Sequence, residues 1–166
     1  VFPLWKYGLE VICEKKGNLG AIKKMQLKLE IQINAPKQKV WEILTNFSAY
    51  PNWNPFIKSI KGDFIEGKKV EVHIVPLGTI GMIIKPRVLC FKIHEEIRWQ
   101  GNLLFPGLFD GEHIFQLREI DSNTTLFIHS ENFKGILIPF FKKMLDQNTR
   151  DGFNAMNEKL KELCER

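Results

Sequence analysis

The sequence predicts an α+β fold: a curved antiparallel sheet of six to seven strands wrapped around one long C-terminal α-helix, with two short helices after the first strand. Three observations carry this reading. The chain has 166 residues, 44% hydrophobic and 26% charged, the size and balance of one globular domain. Apolar and polar residues alternate over most of residues 27–133, the period of half-buried strands. From Ile136 to Arg166 the period becomes helical.

The elements follow in order. LKLEIQINAP, residues 27–36, alternates Leu27, Leu29, Ile31 and Ile33 against polar partners and reads as a strand. Asn34 and Pro36 then signal a helix start. In that helix Val40, Trp41 and Leu44 share one side. FSAYPNWNPF, residues 47–56, holds two prolines among aromatics and predicts one short helical turn. The strand series comes next. It turns Val70, Val72 and Ile74 inward, then Leu89, Phe91 and Ile93, then Ile97 and Trp99, then His113, Phe115 and Leu117. TLFIHSENFKG closes it, with Phe127, His129, Glu131 and Phe133 on the inner face. In the last helix Phe141, Met144, Leu145, Asn148, Gly152, Ala155, Met156 and Leu163 share a broad face. Consecutive strands at hairpin spacing imply an antiparallel meander with one buried face, and only that face can receive so long a helix.

GNLGAIKK, residues 17–24, reads as a linker. Residues 1–24 are therefore expected to be an N-terminal extension and 25–166 the domain. The formal charge is +5, and residues 1–24 supply a surplus of three through five lysines and two glutamates. No stripe of Lys and Arg marks the folded part, so a nucleic-acid partner is not expected. VFPLWKYGLEVIC is interrupted by Lys6, Gly8 and Glu10 and does not read as a signal peptide. No apolar run approaches the roughly 20 residues that span a bilayer. Cys13, Cys90 and Cys164 are odd in number and widely spaced, which points to a reduced, cytoplasmic setting.

The puzzle lies in the last strand. An ionisable pair, His129 and Glu131, stands between Phe127 and Phe133 on a core face. EIDSNT is a short connection, so His113 should lie opposite His129 or Glu131, depending on register. Asn148 is the polar interruption of the facing helix, and Gly152 removes bulk one turn later. A buried carboxylate relieves its cost by pairing or by taking a proton. Such a cluster can satisfy itself, anchor a ligand hydroxyl or carbonyl, or exchange protons as a general acid or base. Glu131, His113 and His129 are the catalytic candidates. Trp99, Phe115, Phe133 and Met144 would supply apolar walls for a ligand, with His113, His129, Glu131 and Asn148 orienting its polar end. A metal is not expected, because the two histidines and one carboxylate are loosely spaced and lack a readable supporting shell. His73 and His94 fall on outward parity. No P-loop, dinucleotide glycine pattern or nucleophile elbow is present, and no cofactor is expected.

LLFPGLF, residues 103–109, and GILIPFF, residues 135–141, are more apolar than a loop or helix start requires. Phe105, Leu108, Phe109, Ile136 and Phe140 are candidates for a cavity mouth, where exposed apolar surface marks ligand access or transient membrane contact. Gly107, Gly111 and Gly135 would give these segments hinge freedom.

INAPKQKVWEILTNFSAYPNWNPFIKSIKG resembles the amino-terminal signature of bacterial polyketide cyclase/dehydrase-like proteins. WQGNLLFPGLFDGEHIFQL, HSENFKG and TRDGFNAMNEKLK resemble carboxy-terminal signatures of one bacterial subset. These proteins belong to the START-like, or SRPBCC, superfamily, which has a helix-grip fold and also includes birch-pollen-allergen-like and lipid-transfer proteins. The resemblance covers about residues 26–165. It implies a cavity between sheet and helix for a hydrophobic ligand, and it implies no fixed catalytic set. The leading expectation is a binder of a hydrophobic or amphipathic small molecule, such as a lipid, isoprenoid, quinone or polyketide-like compound. The alternatives are a cyclase/dehydratase-type enzyme using Glu131 and a histidine, and a module that presents its apolar mouth to a protein or membrane. Oligomeric state is not legible.

Overall fold

The alternation is cleanest in β1, Lys23–Ile33, which buries Met25, Leu27, Leu29, Ile31 and Ile33 and turns the residues between them outward. Each buried aliphatic side chain contributes roughly 1.5–3 kcal/mol. The computed structural model describes residues 23–76, 78–102 and 105–166, so most of the expected extension over residues 1–24 lies outside the described residues. Pro36 stands at the head of α1, Lys37–Thr45, which buries Val40, Trp41 and Leu44. A 3₁₀ turn, Phe47–Ala49, leads into α2, Tyr50–Trp53, with Pro51 in its first turn. There the missing N–H has no helical partner to lose. Tyr50 Oη donates to the Leu44 carbonyl at 2.6 Å and ties α2 to α1.

The strands are β2 (Ile57–Lys61), β3 (Glu71–Ile74), β4 (Met82–Ile84), β5 (Arg87–Lys92), β6 (Glu96–Asn102), β7 (Asp110–Asp121) and β8 (Thr124–Gly135). They form an antiparallel five-stranded sheet in the order β1-β8-β7-β6-β5 and a three-stranded sheet β2-β3-β4. The segment ahead of β3 stitches the two sheets together. Gly67 N donates to Val88 O at 2.8 Å, Val88 N to Lys68 O at 2.9 Å, and Val70 N to Pro86 O at 3.0 Å.

One strand departs from the expected parity. Leu89 and Ile93 do not face inward: they are 39% and 66% exposed, while Val88 is fully buried. The cause is local. Lys85 and Pro86 separate β4 from β5, and the pairing of β5 with β6 slips between Val88 and Cys90. A bulge of this kind reverses which residues point inward and leaves Leu89 outside, whereas Ile93 lies beyond the end of β5 in the turn before β6. Phe91, beyond the slip, still packs on the core.

The C-terminal helix is interrupted. α3, Ile138–Met144, passes through one π turn, Leu145–Thr149, into α4, Arg150–Cys164. A π turn holds more than 3.6 residues, so everything after it arrives late on the buried face. Leu145, Gly152 and Met156 are buried as expected, but Thr149, Phe153, Asn157, Leu160 and Cys164 complete the buried stripe. Asn148, Ala155 and Leu163 are only half-buried.

Gly152 is where α4 comes closest to the chain around α2. A Cβ at that position would overlap the Phe56 ring, which packs edge-on to Phe153 at 5.2 Å. Gly152→Ala is expected to destabilise the fold by about 1–3 kcal/mol through overpacking. Urea unfolding should show a lower midpoint at unchanged slope.

Candidate functional site

Four side chains form an unbroken hydrogen-bonded line through the interior. The β7–β8 register sets Cα of His113 opposite Glu131 and Cα of Phe115 opposite His129. His113 therefore meets Glu131 directly and His129 on the diagonal. Glu131 Oε2 lies 2.9 Å from His113 Nδ1. His113 Nε2 lies 3.1 Å from His129 Nε2, and His129 Nδ1 lies 2.8 Å from Asn157 Oδ1 on α4. Both register possibilities left open by the sequence are thus used at once.

Proton counting links the states along this line. With the Asn157 oxygen turned toward it, His129 donates through Nδ1. Neutral imidazole has one N–H, so His129 accepts through Nε2. His113 then donates through Nε2, and one further proton is shared between His113 Nδ1 and Glu131 Oε2. His129 is fully buried, and its pKa lies well below the ordinary histidine value. Burial is the main cause and the charge of His113 the second, while the Asn157 bond opposes them. The ring of His113 is sandwiched by apolar surface. Trp99 stacks on it with centroids 4.5 Å apart and planes 12° apart, and Phe115 meets it edge-on at 4.7 Å.

Glu131 is the end of the line nearest solvent, its side chain 17% exposed. Gly111 makes its position attainable, since a Cβ there would lie 2.7 Å from Glu131 Oε1. Among the described residues only His113 hydrogen-bonds this carboxylate, through Oε2. Oε1 remains available. With His113 and His129 holding each other's ring nitrogens, neither presents a free lone pair to a metal. Cys164 is buried, and burial pushes its thiol up to about 12, far from a reactive thiolate.

Toward the end of the sheet beyond Glu131, Phe109 bridges Phe133 and Phe141, each at 5.7 Å. Toward the opposite end, beyond His129, the interior is filled: Phe153 stacks on His129 with centroids 3.6 Å apart. At this level the space between sheet and helix is closed by that stack. A depression of about 630 Å³ does occur, but it is open and polar, lined by Asp146, Gln147, Asn148, Arg150 and Asp151. It is remote in character from an apolar ligand site.

Trp99, His113, Phe115, His129, Glu131 and Phe133 are brought together as a group. Asn148 is not among them; it lines the polar depression instead, and Asn157 occupies the role expected of it. The π turn is the reason, because it rotates α4 by about one residue. Met144 belongs to α3, but its side chain lies outside those described. Of the mouth residues, Phe105, Ile136 and Phe140 are 61%, 48% and 81% exposed, and Leu108 and Phe109 are half-buried. His94 is half-buried in a turn at positive φ, edge-on to Trp41 at 5.9 Å.

Comparison with known proteins places these features. Residues 24–165 match the family model described as polyketide cyclase / dehydrase and lipid transport. An aromatase/cyclase, Zhui, from Streptomyces sp. R1128 superposes with a TM-score of 0.70 at 14% identity, over 87% of this chain and 95% of that one. A START superfamily protein from Mycobacterium smegmatis gives 0.62 at 16% identity, over 83% and 98%. Norcoclaurine synthase from Thalictrum flavum gives 0.66 at 14% identity, over 88% and 97%. These likenesses establish the helix-grip fold. No curated protein matches the chain by sequence.

The depressed pKa of His129 has a consequence for stability. Below about pH 6.5 the unfolded chain protonates this histidine and the folded chain does not. Its contribution therefore falls on acidification, by at most about 1.4 kcal/mol per pH unit. Urea unfolding between about pH 7 and pH 5 should show this slope, and His129→Gln should flatten it.

Proposed function

The chain belongs to the polyketide cyclase / dehydrase and lipid transport family, and from that premise we propose that it binds a hydrophobic or amphipathic small molecule of the lipid, isoprenoid, quinone or polyketide-like kind. The guest sits between the five-stranded sheet and α3, at the end of the interior that holds Glu131. It displaces the aromatic stopper of Phe109, Phe133 and Phe141 and leaves the His129–Phe153 stack in place. Glu131 grips the polar end of the guest.

The observation that supports this most is the half-used carboxylate. A carboxylate among aromatic rings is costly unless it is paired. Glu131 is paired on one oxygen only, and the other faces the apolar end of the sheet over Gly111. A ligand hydroxyl or amine can complete it. Apolar walls with a few placed polar groups are the usual make-up of small-molecule sites.

A second reading draws on the line of hydrogen bonds behind Glu131. His113 can return a proton to Glu131, and His129 and Asn157 hold His113 in the orientation to do so. In a cyclase/dehydratase-type enzyme Glu131 would be the acid or base and His113 its reservoir. Neither reading needs a cofactor.

Native mass spectrometry of the purified protein tests the first reading. A bound apolar compound lost on denaturation is the expected result. A polypeptide of bare mass that also fails to take up a fluorescent fatty acid would overturn it. Glu131→Gln should weaken hydroxylated ligands roughly tenfold, the loss of one hydrogen bond to a charged group. Gly111→Ala, which pushes Oε1 aside, should reproduce that loss in isothermal titration. If the protein is an enzyme, Glu131→Gln removes turnover while binding survives.

A further inference from the structure

We infer that the end of the sheet bearing Phe105, Ile136 and Phe140 is a docking face for an anionic lipid bilayer. Two segments build it. The loop around Phe105–Phe109 and the chain between β8 and α3 are clipped together, with Ile136 N donating to Gly107 O at 3.3 Å and Leu137 N to Leu108 O at 3.2 Å. Gly135 permits the approach, because a Cβ there would collide with the Leu108 carbonyl. The clip leaves Phe105 61%, Ile136 48% and Phe140 81% exposed on one end of the molecule. Neighbouring apolar side chains of this size raised into water mark a contact surface.

The charges around them select the partner. Lys24 pairs in register with Lys134 at this end of the sheet, and Lys142 and Lys143 lie in the last turn of α3. All four are exposed, and none forms an ion pair among the described residues. The nearby acids are engaged or few. Asp110 accepts from Gly107 N at 3.0 Å, Asp146 pairs with Arg150, and Glu131 pairs with His113. Asp151 is exposed on α4. Bulky apolar side chains at the same end as these lysines match a surface with an apolar interior and anionic headgroups. The inference rests on this surface alone and would stand without a ligand inside.

Sedimentation of the full chain with vesicles decides it. Vesicles of phosphatidylcholine mixed equally with phosphatidylglycerol should carry the protein down, those of phosphatidylcholine alone should do so far less, and added salt should release it. Phe105→Ser with Phe140→Ser should abolish binding. Lys142→Gln and Lys143→Gln should each weaken it roughly fivefold. Ile120→Ser, which removes an exposed apolar side chain at the opposite end of β7, should change nothing. Failure to sediment with either vesicle would overturn the inference, as would equal binding to both. So would a dimer in analytical ultracentrifugation that Phe140→Ser dissolves, since the face would then belong to a second copy of the chain. A protein that takes up fatty acid yet ignores vesicles loses this inference and keeps the ligand reading.

Discussion

The interior of this protein depends on the hydrogen-bonded pair of His113 and Glu131. Polar groups among Trp99, Phe115 and Phe133 would ordinarily raise the free energy of the fold. They are tolerated because both ring nitrogens of His113 are used. One meets Glu131 and one His129, and His129 passes the constraint to Asn157 on the C-terminal helix. Removing any member strands the next. The line also fixes how the helix sits on the sheet, since Asn157 meets His129 only when α4 is rotated as the π turn rotates it.

The arrangement divides the interior into two halves. Behind His129 the core is closed by Phe153, Phe56 and the bare Cα of Gly152. Ahead of it Phe109 meets Phe133 at a tilt and Phe141 edge-on, and one carboxylate oxygen has no partner among the described residues.

Much of this was legible in the sequence, and the failures have physical causes. The alternation in LKLEIQIN and EHIFQLREI gave the inner faces because those strands are unbroken and half-buried. The histidine–glutamate pair stood out because period two placed it between phenylalanines. Leu89 was misplaced because a bulge reverses parity without leaving a residue signature, with Pro86 as the only hint, and Ile93 because the strand ends one residue before it. Asn157 was missed for the same kind of reason. A projection at 3.6 residues per turn carries Asn148 to the sheet, and the π turn at Leu145–Thr149 substitutes a residue nine positions later. Irregularities that shift phase are set by tertiary packing, so a local pattern cannot reveal them.

The most direct test of the account is the protonation of the two buried rings, read by nitrogen-15 NMR of the imidazoles near neutral pH. The account requires His129 to be neutral with its proton on Nδ1 and His113 to carry a proton on Nε2. A His129 that is doubly protonated, or whose proton sits on Nε2, would contradict it. The line of hydrogen bonds would then run the other way, with the Asn157 amide donating to His129 and His113 donating to Glu131 through Nδ1 alone.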